Sequence, residues 1–355
     1  MGSHTDYNLG YVLTQAIDRN TWIAARPRSD GKVIVQSLNL YGGGEFDLAR
    51  IEYDTAVSWT NYVRGVAAVL EEEGHTLGGF EGLIHSTIPF GSGLSSSAAL
   101  EVATAVLFDT LGKLGLDPVQ MALLCQRAEN EFVGMNCGIL DQYSSIMGRA
   151  GCVLLLDCRD LTSTTRPVAP GIQVVICDTR APRALTGSEY AQRRAQCEEG
   201  ARILAGFYPG VQALRDVTLE PLNAHHSDLS DVVYRRCRFV IEENQRVLDM
   251  AEALARGHRQ AIGVLAAASY AGARDLYEIT SHEMERMIAA MRSGPGVIGA
   301  RQAGAGFGGC MVAFVEQDSL VGFAQHVRKH YYASTGIDPE VYPVQAAPGA
   351  APLVF

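Results

Sequence analysis

The feature that most constrains this chain is a segment rich in glycine and serine at residues 89–99, Pro-Phe-Gly-Ser-Gly-Leu-Ser-Ser-Ser-Ala-Ala. It lies between a strand-like apolar run, residues 83–88, and a long helical pattern, residues 98–111. This order predicts a strand, a loop with few bulky side chains, and the start of a helix. Such a loop lets backbone N–H groups approach an anion, and the helix start adds unpaired donors and a positive dipole end.

The alternative for the same segment is an ordinary Gly/Ser turn with a serine as N-cap. The length and position of the run favour an anion-binding loop, in which serine hydroxyls contact phosphate oxygens or a bound Mg²⁺. It is not a Walker loop, because none of the three lysines of the chain lies near it. The predicted nucleotide-binding residues of the loop are Pro89, Gly91, Ser92, Gly93, Leu94, Ser95, Ser96, Ser97 and Ala98.

The composition is that of a globular chain large enough for two cores. Its 355 residues exceed the roughly 250–300 that one core supports, and a Thr/Pro/Gly stretch, residues 161–171, is the candidate boundary. We therefore expect domains at residues 1–165 and 166–355. The formal charge of −10 argues against nucleic acid or an anionic membrane as partner. No apolar run approaches the ~20 residues of a membrane span, and eight cysteines without a CxxC pair suit a reducing, cytoplasmic setting.

Two further residues, Glu129 and Asp141, can complete the chemistry of a phosphoryl transfer. Such a reaction needs a phosphate cradle, a carboxylate that holds the metal, and a group that deprotonates the attacking hydroxyl. Glu129 can hold Mg²⁺ together with Ser96 or Ser97, and Asp141 can serve the hydroxyl. Glu129 borders the apolar stripe of a predicted helix, where it is either a solvated edge residue or a buried ligand. Asp141 can equally be a turn or cap aspartate, and His4 a disordered terminal histidine.

Several segments of the chain resemble those of one enzyme family. The Gly/Ser loop resembles the phosphate-binding motif of the galactokinase, homoserine kinase, mevalonate kinase and phosphomevalonate kinase (GHMP) superfamily. Within it, the chain resembles the galactokinase family over nearly its whole length. The other blocks that carry this resemblance are His4-Thr5-Asp6-Tyr7-Asn8, Trp59-Thr60-Asn61-Tyr62-Val63-Arg64-Gly65, Ala128-Glu129, residues 134–142, Ser188-Glu189-Tyr190 with Arg193-Arg194, and residues 304–310.

The resemblance implies a two-domain α+β fold of the GHMP kinase type. The N-terminal half would be similar to the second domain of ribosomal protein S5 and the C-terminal half would be α/β, with the active site in the cleft between them. The implied activity is that of a sugar-1-kinase, which uses ATP and Mg²⁺ to convert α-D-galactose to its 1-phosphate. Its partners would then be a small sugar and ATP.

The resemblance also implies a role for each matching residue. Asp141 would take the proton of the anomeric hydroxyl of the sugar. Beyond the loop, the implied nucleotide and metal ligands are Trp59 and Tyr62 on the adenine side, and Glu129 with Ser96 or Ser97 on Mg²⁺. The implied sugar ligands are Ser3 and His4 at the C6 end, Asp6 at the 3- and 4-hydroxyls, and Gly138 and Tyr190 near O4.

Two departures from the family pattern bear on substrate and activity. The family has a glutamate where this chain has Ser3, and the lost negative charge would admit a carboxylate at C6. Galacturonate, or L-arabinose, which lacks the 6-hydroxyl, is therefore an alternative to galactose. The family also has an arginine before this block, and Arg19, Arg26 and Arg28 all lie beyond it. The missing arginine has two interpretations. Either the start codon is misplaced, or the protein is a catalytically impaired sensor of sugar and ATP.

Overall fold

The computed structural model describes residues 1–135, 137–181 and 187–353, which form two compact units. The first unit consists of Met1–Gln15 and Gly151–Ala346. The second unit consists of Ala16–Ala150 together with residues 347–353. Asn136, in the predicted segment 134–142, and the side chain of Ser188 lie outside the described parts.

The described residues form the following strands and helices. The strands are β1 (Tyr11–Thr14), β2 (Thr21–Arg28), β3 (Lys32–Ser37), β4 (Gly43–Asp47), β5 (Gly79–Ser86), β6 (Cys152–Asp157), β7 (Thr162–Pro167), β8 (Ile172–Asp178), β9 (Val297–Gln302), β10 (Cys310–Glu316) and β11 (Glu340–Val344). The helices are α1 (Asn61–Glu72), α2 (Ser96–Gly112), α3 (Pro118–Arg127), α4 (Leu140–Met147), α5 (Gly187–Phe207), α6 (Leu219–Ala224), α7 (Asp231–Arg256), α8 (Arg259–Asp275), α9 (His282–Arg292) and α10 (Leu320–Thr335).

The second unit is built on a four-stranded sheet packed against helices. The strand order is β2-β5-β3-β4, in which β3 and β5 run parallel and the outer pairs are antiparallel. Because successive strand residues point to opposite faces, alternate residues such as Val33, Val35 and Phe80 enter one core together with residues of α1, α2 and α3. Residues 87–95 connect β5 to α2, so the Gly/Ser loop leaves this sheet and starts a helix, as the sequence predicts.

The first unit contains two antiparallel sheets. One has the order β1-β6-β7 and the other the order β11-β8-β10-β9. Residues of α9 and α10 pack with β8, β10 and β11 in one core, and residues of α7 and α8 pack with β1, β6, β8 and β10 in another. Within the described parts of the chain, no helix is long and apolar enough to cross a bilayer.

The predicted boundary stretch, residues 161–171, contains a strand. This strand is β7, which pairs along its whole length with β6, so both sides of the stretch belong to the first unit. The first 15 residues also join that unit, because β1 pairs with β6. The two compact units thus meet along the chain at residues 15/16, 150/151 and 346/347. The division into domains at residues 1–165 and 166–355 is a separate statement, and it stays a prediction.

Replacing Phe108 by alanine should destabilise the second unit. Phe108 is 1% exposed, and its ring meets that of Phe80 edge-to-face with centroids 5.3 Å apart. Losing a buried phenyl ring in such a core costs about 3–5 kcal/mol. Urea unfolding followed by tryptophan fluorescence measures this unit specifically, because both tryptophans of the chain lie in it. The exposed Tyr41 provides the control: Y41A should change the free energy of unfolding by no more than ~0.5 kcal/mol, and an equal effect of the two variants would contradict the assigned core.

Candidate active site

The Gly/Ser loop has a backbone that few side chains permit. Gly91 and Gly93 have φ angles of 72° and 84°, and Ser95, just before α2, has a φ angle of 60°. A serine pays a conformational cost in this left-handed region, and such strain clusters at active sites and ligand clamps. The Ser92 hydroxyl donates a hydrogen bond to the Pro89 carbonyl (2.8 Å) and closes the turn.

The start of α2 has no capping side chain. Ser95 occupies the N-cap position, but its hydroxyl makes no capping hydrogen bond, so the alternative of a simple serine N-cap is wrong for this loop. Ser96 and Ser97 begin the helix and are half-buried, as is Leu94, whereas Ala98 is buried. The Ser95 side chain therefore accepts no hydrogen bond from the first N–H groups of α2, which lie at the end where the helix dipole is positive.

Glu129 is a buried carboxylate next to this helix start. It lies in a π-helical segment, Ala128–Val133, a conformation that recurs at functional sites. It is 7% exposed, so Glu129 is a buried residue and not the solvated edge residue that the sequence also allowed. It accepts hydrogen bonds from Gln142 Nε2 (2.7 Å) and from Cys137 Sγ (3.2 Å), and the Ser97 hydroxyl lies near enough to lower its pKa. Burial raises the pKa of Glu129 above its usual range, against the opposing effect of these hydrogen bonds.

A second carboxyl group in the same place, Glu101 of α2, is not among the residues that sequence analysis singles out. It is fully buried, and its Oε2 accepts a hydrogen bond from Gln142 Nε2 at 3.0 Å. Burial, followed by the negative charges of Glu129 and Asp141, raises the pKa of Glu101 to about 9. Glu101 is therefore a neutral acid at physiological pH.

Asp141 completes this group of carboxyl side chains. It is exposed in the first turn of α4, where the helix dipole favours a negative charge. Its charge contributes to the raised pKa of both Glu101 and Glu129, so the three groups lie close together. The half-buried Gly138 lies just before the same helix. Within the described residues, no set of three or more His, Cys, Asp and Glu side chains is arranged to hold a metal ion.

The two predicted aromatic residues lie at the start of α1. Burial raises the pKa of Tyr62 to about 12, with further contributions from the charges of Glu129 and Glu101, so the phenol lies beside the carboxyl groups. Trp59 is half-buried, and its Nε1 is a buried donor without a hydrogen-bond partner among the described residues. The contact of either ring with adenine stays a prediction.

In the first unit, His4 is surrounded by tyrosines. It is 4% exposed, and its ring centroid lies 4.8 Å from that of Tyr277 and 5.3 Å from that of Tyr190. Its Nε2 lies 2.8 Å from the carbonyl oxygen of Ala305, in the glycine-rich connection between β9 and β10. Because a carbonyl oxygen can only accept, Nε2 carries a proton.

His4 also accepts from a chain of hydrogen bonds that run in one direction. Burial is the largest of the effects that lower the pKa of His4 to about 4, so the imidazole is neutral and its Nδ1 is an acceptor. The Tyr7 hydroxyl therefore donates to Nδ1 (2.9 Å) and accepts from the Tyr277 hydroxyl (2.7 Å). The Cys197 thiol lies 3.1 Å from the Tyr277 oxygen and continues the chain. Both ring nitrogens of His4 thus have protein partners. At the predicted C6 end of a sugar, His4 would therefore contact the sugar through its ring face or edge rather than through a nitrogen.

Ser3 contacts a buried guanidinium group. Arg301 Nη2 donates to the Ser3 hydroxyl at 3.2 Å, and Arg301 also contacts Glu243 (3.3 Å) and Ser269 (3.0 Å). Glu243 is fully buried and accepts a second charged hydrogen bond, from Arg246 Nε at 2.8 Å. Sequence analysis did not identify Arg301, because nothing in the sequence signals a contact across 298 positions.

The remaining predicted sugar ligands are divided between the units. Asp6 lies in a single helical turn after His4, and Tyr190 lies on α5 with its ring edge-to-face with that of Tyr7, centroids 5.6 Å apart. Both are near enough to Tyr7 to affect its pKa, so the first unit brings His4, Asp6 and Tyr190 together around Tyr7. Gly138 and Asp141 belong to the second unit.

Comparison with known proteins defines the class of this fold and site. Residues 61–149 match the N terminal domain of the GHMP kinases, and residues 250–333 match their C terminal domain. The mevalonate kinase of Methanococcus jannaschii shares the fold, with a TM-score of 0.66 at 16% identity over 98% of this chain and 94% of its own. The fold is therefore that of a GHMP kinase.

More similar proteins narrow the class to one family. Residues 1–27 match the galactokinase galactose-binding signature. A galactokinase of Roseiflexus sp. (strain RS-1) is 43% identical over 98% of this chain and 89% of its own length, and one of Chloroflexus aggregans is 43% identical over 95% and 86%. The crystal structure of Lactococcus lactis galactokinase complexed with galactose aligns with a TM-score of 0.93 at 36% identity, covering 98% of this chain and 91% of that one. The chain belongs to the galactokinase family.

The buried, neutral His4 predicts a specific loss of stability in acid. Its pKa of about 4 in the folded chain lies below the usual histidine value of 6.5, so the unfolded chain binds the proton more tightly, and stability falls as the pH drops from about 6.5 towards 4. His4 should account for a loss of about 2 kcal/mol between pH 8 and pH 5. Urea unfolding followed by circular dichroism at several pH values, for the wild type and H4Q, measures this contribution. Identical pH dependence of the two proteins would contradict a buried, neutral His4.

Proposed function

We propose that this chain is an ATP-dependent galactokinase that transfers the γ-phosphoryl group of ATP to O1 of α-D-galactose. The observation that carries the proposal is the carboxyl group cluster behind the Gly/Ser loop. There the buried Glu129 lies near the Ser97 hydroxyl, at the start of α2, and near the exposed Asp141. Family membership supports galactose as the substrate, since the relatives at 43% identity are galactokinases.

The residues beside the loop suit a magnesium ion that arrives with ATP. Mg²⁺ prefers oxygen ligands and is commonly held by one or two carboxylates, with substrate phosphates and water in the other positions. The Glu129 carboxylate and the Ser96 or Ser97 hydroxyl provide such oxygens, and the lack of a three-ligand set among the described residues agrees with a metal completed by ATP. When bound, the ion would neutralise negative charge on the phosphates.

Asp141 is the proposed base. Its carboxylate would take the proton of the O1 hydroxyl as a bond forms between O1 and the γ-phosphorus. The bond between that phosphorus and the β–γ bridging oxygen breaks, and ADP leaves with the electron pair. The exposed position of Asp141 in the first turn of α4 leaves its carboxylate accessible to a substrate.

We assign recognition of galactose to five of the residues that the sequence predicts. Asp6 would accept hydrogen bonds from the 3- and 4-hydroxyls, and Gly138 and Tyr190 would contact O4, which distinguishes galactose from its gluco epimer. A site that hydrogen-bonds a hydroxyl discriminates strongly against an isomer that leaves its polar groups unpaired. His4 and Ser3 would border C6. The proposed setting of this reaction is the cytoplasm.

Asp141→Asn should abolish turnover while ATP binding remains. An amide cannot accept the proton, and loss of a general base typically costs about 10²- to 10⁴-fold in rate. Coupled measurement of ADP release with galactose gives kcat, and calorimetry with the non-hydrolysable analogue AMP-PNP gives nucleotide affinity. Asp117→Asn is the matched control, because Asp117 caps α3 and asparagine caps equally well.

The same experiment separates an enzyme from a sensor. Appreciable turnover by D141N would exclude Asp141 as the base. Binding of galactose and AMP-PNP by the wild-type chain, with no turnover, would instead support a sugar and ATP sensor.

A second candidate substrate is galacturonate, which carries a carboxylate at C6. The observation in its favour is the buried Arg301 guanidinium that donates to the Ser3 hydroxyl at 3.2 Å. Where the family has a glutamate, this chain thus has a neutral side chain in contact with a cation. A C6 carboxylate next to Ser3 would lie near that cation, which also pairs with the buried Glu243, and it would no longer meet a carboxylate at position 3.

Ser3→Glu should shift the preference of the chain back to galactose. A carboxylate beside C6 would repel a sugar carboxylate, and like charges brought together cost several kcal/mol. The ratio of kcat/KM for galacturonate to that for galactose should fall at least tenfold in S3E. In S3A, the uncharged control, the ratio should stay within about twofold. A wild-type chain that does not phosphorylate galacturonate would exclude this candidate.

A further inference from the structure

Glu101 is the one carboxyl group of the cluster to which the proposed reaction gives no task. It is fully buried on α2, five residues beyond the start of the helix, and the loop that would bind phosphate ends at that start. An ionisable side chain is expensive to bury, so a glutamate in this position needs a physical reason.

Its contacts point towards Glu129. Gln142 Nε2 lies 3.0 Å from Glu101 Oε2 and 2.7 Å from Glu129 Oε2. A side-chain amide nitrogen has two hydrogens, so one amide donates one hydrogen bond to each carboxyl group. Gln142 is itself fully buried, and its side-chain nitrogen joins the two carboxyl groups.

This arrangement fixes which way the amide points. An amide held by a single acceptor can rotate, whereas two acceptors on either side of its nitrogen define both the position and the plane of the –NH₂ group. Gln142 follows Asp141 directly in α4, so the bridge also links the helix of the proposed base to α2 and Glu129. Among the described residues, Glu101 Oε1 and Gln142 Oε1 have no hydrogen-bond partner. The amide nitrogen also lies 3.8 Å from Cys137 Sγ, a longer contact than those to the two carboxyl groups, so these two hydrogen bonds are the main ones that hold the amide.

We propose that Glu101 is a positioning residue for Glu129: it holds the Gln142 amide, and the amide holds the Glu129 carboxylate in the orientation that receives Mg·ATP. The inference rests on the proposed function only in that Glu129 is taken as the carboxylate that faces the metal. Glu101 does this as a neutral acid, which accepts from the amide through Oε2 without adding a third negative charge beside Glu129 and Asp141. Outer-shell partners of this kind typically contribute 10- to 100-fold to metal affinity or activity.

The test compares two substitutions of Glu101. Glu101→Gln keeps a neutral side chain whose carbonyl can accept from Gln142, and it should retain the wild-type Mg²⁺ dependence within about threefold. Glu101→Leu has a similar volume but no acceptor, and the Mg²⁺ concentration for half-maximal rate should rise at least tenfold. The KM for sugar should stay within about twofold in both variants, because Glu101 would act only on the metal and phosphate side.

Thr104→Val is the matched control. Thr104 lies one turn further along α2, is equally buried, and uses its hydroxyl only on the Leu100 carbonyl (2.8 Å). Its loss should lower the melting temperature without moving the Mg²⁺ dependence. Gln142→Met removes the bridge from the other side, so it should reproduce the effect of E101L, and the double variant should be no worse than either single one.

A binding measurement separates this inference from the proposed function. Calorimetry of AMP-PNP with Mg²⁺ should rank the affinities as wild type, then E101Q, then E101L, whether or not the chain turns over any sugar. A wild type that binds Mg·AMP-PNP in this way but phosphorylates no sugar would defeat the proposed function alone. Equal Mg²⁺ dependence of E101L and wild type, or an E101Q as impaired as E101L, would overturn the role of Glu101. Should E101L fail to fold, Q142M gives the same comparison.

Discussion

The second unit must stabilise buried carboxyl groups directly beside a loop that would bind the anionic phosphates of a nucleotide. Glu101 and Glu129 are buried near the exposed Asp141, and a nucleotide would bring further anionic oxygens to the same helix start. The unit keeps this arrangement by giving each buried carboxyl group a donor: Gln142 donates to both, and Cys137 donates to Glu129. Burial and the neighbouring negative charges also raise the pKa of Glu101, which favours its neutral form.

The first unit solves a related problem in a different way. Its buried Glu243 lies between Arg246 and Arg301, while its buried histidine is held neutral. Because His4 donates to Ala305 and accepts from Tyr7, the glycine-rich connection between β9 and β10 is tied to the first residues of the chain. The polar side chains next to Glu243 and His4 are thus hydrogen-bonded within the protein, which leaves the partly exposed residues around them to meet a ligand.

The sequence predicted the parts of the site that depend on local pattern, and not the parts that depend on packing. The loop and the helix after it follow from glycine, serine and apolar spacing over short distances. That spacing left open whether Glu129 is buried or solvated. Glu101 was missed because that spacing predicts one buried face on α2, through Leu100 and Val106, which leaves Glu101 towards solvent. In the structure, Leu100, Glu101 and Val102 are all buried, because α2 has neighbours on more than one side.

The His-Thr-Asp-Tyr-Asn segment shows why a motif and its ligand contacts are different things. Thr5 is fully buried, and its hydroxyl lies 2.7 Å from the carbonyl oxygens of Gly2 and Tyr11, which flank the segment. Asn8 is 3% exposed and donates to the His4 carbonyl, and both ring nitrogens of His4 contact protein atoms. Most of the motif therefore serves to fold a tight turn, in which His4 has a left-handed backbone with φ of 66°. Asp6 is the residue of this segment that combines a charge with partial exposure. A motif can thus be retained in full for structural reasons, so substrate preference is better sought at its flanking position, Ser3, and at the guanidinium group that Ser3 contacts.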